Sequence, residues 1–105
     1  MAKCYVVQRS NHDLSGLQHW GEPVTLFQQG FFPDDVAEHR EAINAHLDKV
    51  FMNFNPHTDF IVPIGCMATC MTVADYLATL DNVMGYNVLK WDRKYDSYYA
   101  IYIGE

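Results

Sequence analysis

Apolar positions along the chain fall into short blocks and longer stripes, and their spacing predicts the elements. Cys4, Tyr5, Val6 and Val7 form a β-branched, apolar run that stops at the polar residues 8–11, the pattern of a first strand. Residues 13–21 open on Asp13, offer Ser15 and Gln18 as a capping box and end at Gly21, which predicts a short helix with a C′ glycine. Residues 22–27 read as a second strand. Pro23 near its start assigns it to a sheet edge, because proline has no N–H to give the ladder.

A long helix is predicted from about residue 33 to 52. Residues 30–35 supply its start: Pro33 has the φ of an N1 residue, and Asp34 and Asp35 complement the positive end of the helix dipole. Val36, Ile43, Leu47, Val50 and Phe54 give it one apolar stripe, and Pro56 stops it. Residues 59–65 are nearly all apolar, as in a central strand covered on both faces, although Pro63 removes one donor. Residues 67–82 read as a second, deeply buried helix closed by Gly85. Strands over 86–91 and 98–103, joined by the polar turn 92–97, predict a terminal hairpin.

The order β-α-β-α-β-α-β-β predicts a single small three-layer α/β domain over residues 1–105. By analogy with doubly wound, Rossmann- or flavodoxin-like sheets, the strand order is 2-1-3-4-5, mostly parallel with an antiparallel C-terminal hairpin. Such a sheet reverses direction between its first and third strands, and ligands bind outside the strands' carboxyl ends at that reversal.

Composition narrows the class. In 105 residues, seven Lys+Arg face thirteen Asp+Glu for a net charge of −6, and half the residues are apolar, which describes one globular domain. The acidic balance opposes nucleic-acid binding, which relies on attraction to phosphates, and the basic cluster Lys90, Arg93 and Lys94 is diluted by Asp92 and Asp96. No apolar run is long enough for a membrane helix, and the first residues lack the pattern of a signal peptide, so an intracellular setting is expected. Three cysteines, an odd number without framework spacing, fit a reducing compartment. Neither Cys66 and Cys70 nor the five histidines have zinc-ligand spacing; no metal and no cofactor is expected.

Two loops carry the candidate chemistry. The first holds Ser10, Asn11, His12, Asp13 and Ser15; the second runs from Gly65 through Met67 to Thr69. If they meet at the reversal, Gly65 lets a ligand approach the backbone, Thr69 offers a hydroxyl, and the amides of 66–69 hold an anion such as a phosphate. His12 with Asp13 or Glu22 would supply the base and acid of a small hydrolase or transferase. Each residue has a plainer role too: Asp13 or Ser15 capping a helix, Glu22 solvated at a strand end, His12 on an exposed loop. Tyr95, Tyr98, Tyr99 and Tyr102 crowd the last hairpin, with Tyr98 and Ala100 on one face and Tyr99, Ile101 and Ile103 on the other; Tyr95, Tyr98 and Tyr99 are expected as core residues or as a seam with a protein partner or a second copy.

The chain resembles a set of short proteins of tailed bacteriophages. The resemblance is carried by Met1 to Val7, His12-Asp13-Leu14-Ser15, Trp20-Gly21-Glu22, the Gly65 loop, and Leu89-Lys90-Trp91-Asp92-Arg93. Cys66-Met67 departs from it, standing where a small or acidic residue followed by proline is expected. The resemblance implies a viral origin and expression in the host bacterial cytoplasm. With the crevice, it leads us to expect a non-catalytic accessory protein binding a small nucleotide-like or anionic ligand, such as a host defence signal. The competing expectations are an inhibitor that contacts a host bacterial enzyme or transcription factor, and the small hydrolase.

Overall fold

The computed structural model describes residues 2–29 and 33–104, the side chains of 33–38 excepted. Its sheet has the order β2-β1-β3-β4-β5, with β1 Lys3–Gln8, β2 Glu22–Phe27, β3 Phe60–Val62, β4 Gly85–Asp92 and β5 Ser97–Gly104. β1 runs parallel to β2 (Lys3 opposite Glu22, Gln8 opposite Phe27) and parallel to β3 (Cys4 opposite Phe60), while β3 is parallel to β4. β5 is antiparallel to β4, with Asp92 opposite Ser97 and Gly85 opposite Gly104. The expected reversal between β1 and β3 is therefore present, and Pro23 lies on the β2 edge.

Alternation along β1 divides the core. Tyr5 and Val7 point to the face covered by α1 (Pro33–Val50) and α2 (Met67–Ala78), where Leu47, Phe51, Val73 and Leu77 pack on them. Cys4 and Val6 point the other way, against Leu17 of a 3-10 helix, Ser15–His19, together with Val62, Leu89 and Tyr98. Both long helices lie on one face and the 3-10 helix on the other, as crossovers of one hand require when the chain first steps outward to β2 and then returns past β1.

Several expectations need correction. The 13–21 segment is a five-residue 3-10 helix without a capping box: its N-cap is Leu14, which has no side-chain cap bond. Gly21 is required for a different reason, since a Cβ there would come within 2.5 Å of the Ala2 carbonyl oxygen. β3 is three residues rather than seven, because Pro63 has no N–H and Ile64 N–H turns back onto Val62 O at 2.8 Å. α2 ends at Ala78, where the Thr79 hydroxyl donates to Tyr76 O, and Gly85 instead opens β4. α2 is also one-sided: Thr69, Val73, Tyr76 and Leu77 are buried while Met67 and Met71 are exposed. α1 ends at Val50 rather than 52 and is irregular at His39 (φ −117°, ψ 23°). Its stripe is as expected at Ile43, Leu47 and Val50. Residues 30–32 and the side chains of Asp34, Asp35 and Val36 lie outside the described residues.

Candidate functional site

Because β1 and β3 are adjacent and parallel, the chain leaves both at the same rim of the sheet, so residues 9–14 and 63–66 emerge side by side. The gap between them is filled from within. Gln8 N–H donates to Ile64 O (3.0 Å), and the Gln8 side-chain carbonyl accepts from the Cys66 amide (3.0 Å). Gly65, at φ +129°, is covered by the same side chain: a Cβ there would meet Gln8 Cβ at 2.4 Å. The glycine that a ligand was expected to approach is approached by Gln8. No sequence signal marked this glutamine, since a polar residue at a strand end is ordinary.

The remaining crevice residues divide by placement. Ser10, Asn11, His12 and Asp13 are exposed, and their contacts are local: Ser10 Oγ accepts from the His12 amide (3.1 Å), and Asp13 Oδ1 accepts from the Ser15 amide (2.9 Å). That second bond holds the Asp13 carboxyl below the usual carboxylate range. Thr69 is fully buried, its hydroxyl 2.8 Å from Cys66 Sγ, and so turns inward, away from a ligand. Met67 is exposed at the α2 N-terminus. Glu22 starts β2, and its amide donates to Ala2 O (3.0 Å) at the opposite rim from His12. Six residues of β1 separate the two rims, about 20 Å at the rise of a strand, so Glu22 and His12 cannot share a proton-transfer site.

The terminal hairpin differs from the rest of the surface. Six of the ten exposed large hydrophobic side chains among the described residues lie on it: Trp91, Tyr95, Tyr99, Ile101, Tyr102 and Ile103. Tyr98 does not belong with them. It is 8% exposed, stacks edge-on against Trp91 (5.0 Å between centroids) and covers Gly16, and burial lifts its phenol above the usual range. Tyr95 is 69% exposed at the turn and Tyr99 is partly exposed on the helix-side face. Trp91 was missed by sequence reasoning, whereas alternation had placed Ile101 and Ile103 beside Tyr99 on one face and Tyr102 was counted with the hairpin tyrosines. A parallel fifth strand needs a crossover helix, which would cover the helix-side face of β4 and β5; a hairpin brings none.

A further cleft of about 250 Å³ opens between α1 and α2, lined by Arg40, Asn44, Asp48, Asp75 and Tyr76 among others. There the Tyr76 hydroxyl donates to Asp48 Oδ1 at 2.6 Å. Burial, and then the Asp48 carboxylate, push its phenol up to about 12.

Fold and site together define a small α/β domain, with a self-filled rim at the reversal between β1 and β3 and a terminal hairpin that carries exposed apolar side chains. The chain belongs to the phage Pam3 gp32-like protein family, which it matches over residues 2–104. It is also 26% identical over 95 residues to transcription factor ETV6 of Mus musculus, an alignment that covers 90% of this chain and 17% of that protein. No solved structure matches it.

Proposed function

We propose that this phage protein acts by contact with another protein through its C-terminal hairpin, as a non-catalytic accessory factor that inhibits a host bacterial enzyme or transcription factor. One observation carries the reading: large apolar side chains concentrate on β4, the turn and β5, with Tyr99, Ile101 and Ile103 together and partly exposed on the helix-side face. Clusters of this kind on a monomer mark interaction sites, and tyrosine and tryptophan suit them because they bring large contact areas with few rotors. Net charge −6 speaks against carrying nucleic-acid binding over from the mouse transcription factor. The test is affinity purification from a bacterial lysate. The wild-type chain recovers one host protein at fixed stoichiometry, Tyr95→Ala reduces the yield at least tenfold, and His12→Ala leaves it unchanged. Equal recovery by all three would refute the hairpin as the contact surface.

A second reading, sequestration of a nucleotide-like or anionic ligand such as a host defence signal, is favoured by the α2 N-terminus. That helix starts beside Gly65 with no side-chain cap bond and no acidic residue in its first turn. A ligand there must displace the Gln8 carbonyl from the Cys66 amide, so Gln8→Ala tightens binding. Calorimetry with cyclic and ADP-ribose-type nucleotides tests this; no heat from either the wild type or Gln8→Ala removes it. The hydrolase reading has lost Glu22 as a partner for His12.

A further inference from the structure

We infer that the occupant of the β5 edge is a second copy of this chain, paired antiparallel so that two five-stranded sheets become one sheet of ten. The inference rests on the reading of the hairpin as an interaction surface and divides it: the turn around Tyr95 is left for the host contact, and the β5 edge goes to the second copy. β5 is an edge strand: among the described residues it pairs with β4 alone, so alternate residues along it aim their N–H and C=O groups at solvent. Natural edges are blunted by charge, proline, bulges or brevity. β5 shows none of the first two over eight residues, Ser97 to Gly104, whereas the opposite edge, β2, begins with Glu22 and Pro23.

Self-pairing follows from the symmetry of the strand. An antiparallel two-fold pairing places a strand against itself, which suits an uncharged strand in a protein of net charge −6: the rest of the acidic surface opposes a second copy, and this edge does not. Gly104, at φ +138°, ends the extended run, so the paired segment is 97–103 and its centre is Ala100. That register puts a small residue on the axis. It sets Tyr99 opposite Ile101 of the other copy on the helix-side face, and Tyr98 opposite Tyr102 on the other face, both favourable cross-strand combinations. Tyr99, Ile101, Tyr102 and Ile103 are 40–55% exposed in the single chain. Because these residues are already about half buried, the pairing buries at most on the order of 1,000 Å² in total, which places it at the weak end of specific interfaces.

Sedimentation equilibrium from about 5 to 200 μM tests the inference. The expected wild-type mass is twice the 12.1 kDa of the chain, with tighter association at higher salt as repulsion between the acidic copies is screened. Ile101→Lys, which places a charge on the edge, is expected to sediment as a monomer with a cooperative thermal melt whose midpoint no longer depends on protein concentration, while Glu22→Lys on the far edge remains a dimer. Ala100→Cys, on the axis, is expected to cross-link under mild oxidation beyond the wild-type background, which controls for Cys66 and Cys70. A wild-type monomer throughout the range overturns the proposal, as does a dimer that Ile101→Lys leaves intact. Tyr95 lies outside the paired run, so loss of host-protein recovery by Tyr95→Ala in a monomeric wild type refutes the dimer alone. A dimer whose lysate recovery is insensitive to Tyr95→Ala refutes the host-contact reading alone.

Discussion

Gly65 and Gln8 show how a single pair decides what a rim can do. Gly65 has a φ of +129°, where a side chain is strained, and a Cβ there would collide with Gln8. Gly65→Ala is therefore expected to destabilise the protein by about 2–4 kcal/mol in urea denaturation, and Gln8→Ala in the same chain to recover little of it, because alanine keeps the Cβ that would stand 2.4 Å from the added one. A loss below about 0.5 kcal/mol would mean that the loop relaxes at little cost. Asp59 is a comparable anchor at the other rim. Buried, it accepts from the Lys3 amide through Oδ1 (3.0 Å) and from the Asn55 amide through Oδ2 (2.8 Å), tying the loop before β3 to the start of β1.

At the level of elements, the terminal hairpin carries two unlike tyrosines in succession. Tyr98 is inside, wedged between Trp91 and Gly16, and Tyr99 is outside. Truncating a buried aromatic leaves a cavity, so Tyr98→Ala is expected to cost about 3–5 kcal/mol, while Tyr99→Ala costs less than about 1 kcal/mol and changes association instead. Chemical denaturation of the two variants separates core from interface; equal losses would contradict the assignment of faces. The strands and α1 were legible as periodic runs, and α2 only partly. Met67, Cys70, Met71 and Ala74 looked like a helix apolar all round, but Met67 and Met71 are exposed because the helix turns its Thr69, Val73, Tyr76 and Leu77 side to the core.

For the molecule as a whole, phenols link stability to alkaline pH. Tyr5, Tyr76, Tyr86 and Tyr98 all have raised pKa values, chiefly through burial, and Tyr76 reaches about 12 against an ordinary 10.0. A group whose pKa is higher in the folded state contributes fully below its unfolded value and loses that contribution as pH rises toward the folded one. Unfolding free energy is therefore expected to fall between about pH 10 and 12. Tyr76→Phe, which removes the proton and the bond to Asp48, should weaken this slope while lowering stability near neutrality by about 1 kcal/mol. An unchanged slope in that variant would show that Tyr76 ionises as freely folded as unfolded.

By themselves, the residues determined the order of strands and helices and the edge position of β2 through Pro23, which follow from periodicity and proline chemistry, both local properties. The reversal between β1 and β3 was an analogy with doubly wound sheets, which the observed strand order matches, and the family resemblance rested on short motifs. Only the tertiary structure decided that Gln8 closes the gap beside Gly65, that Thr69 turns inward, that Glu22 and His12 stand at opposite rims, and that Tyr98 is core while Tyr99 is surface. Those outcomes depend on which side chains meet across neighbouring strands, and meetings between residues more than fifty positions apart, such as Gln8 and Cys66, leave no trace in local pattern.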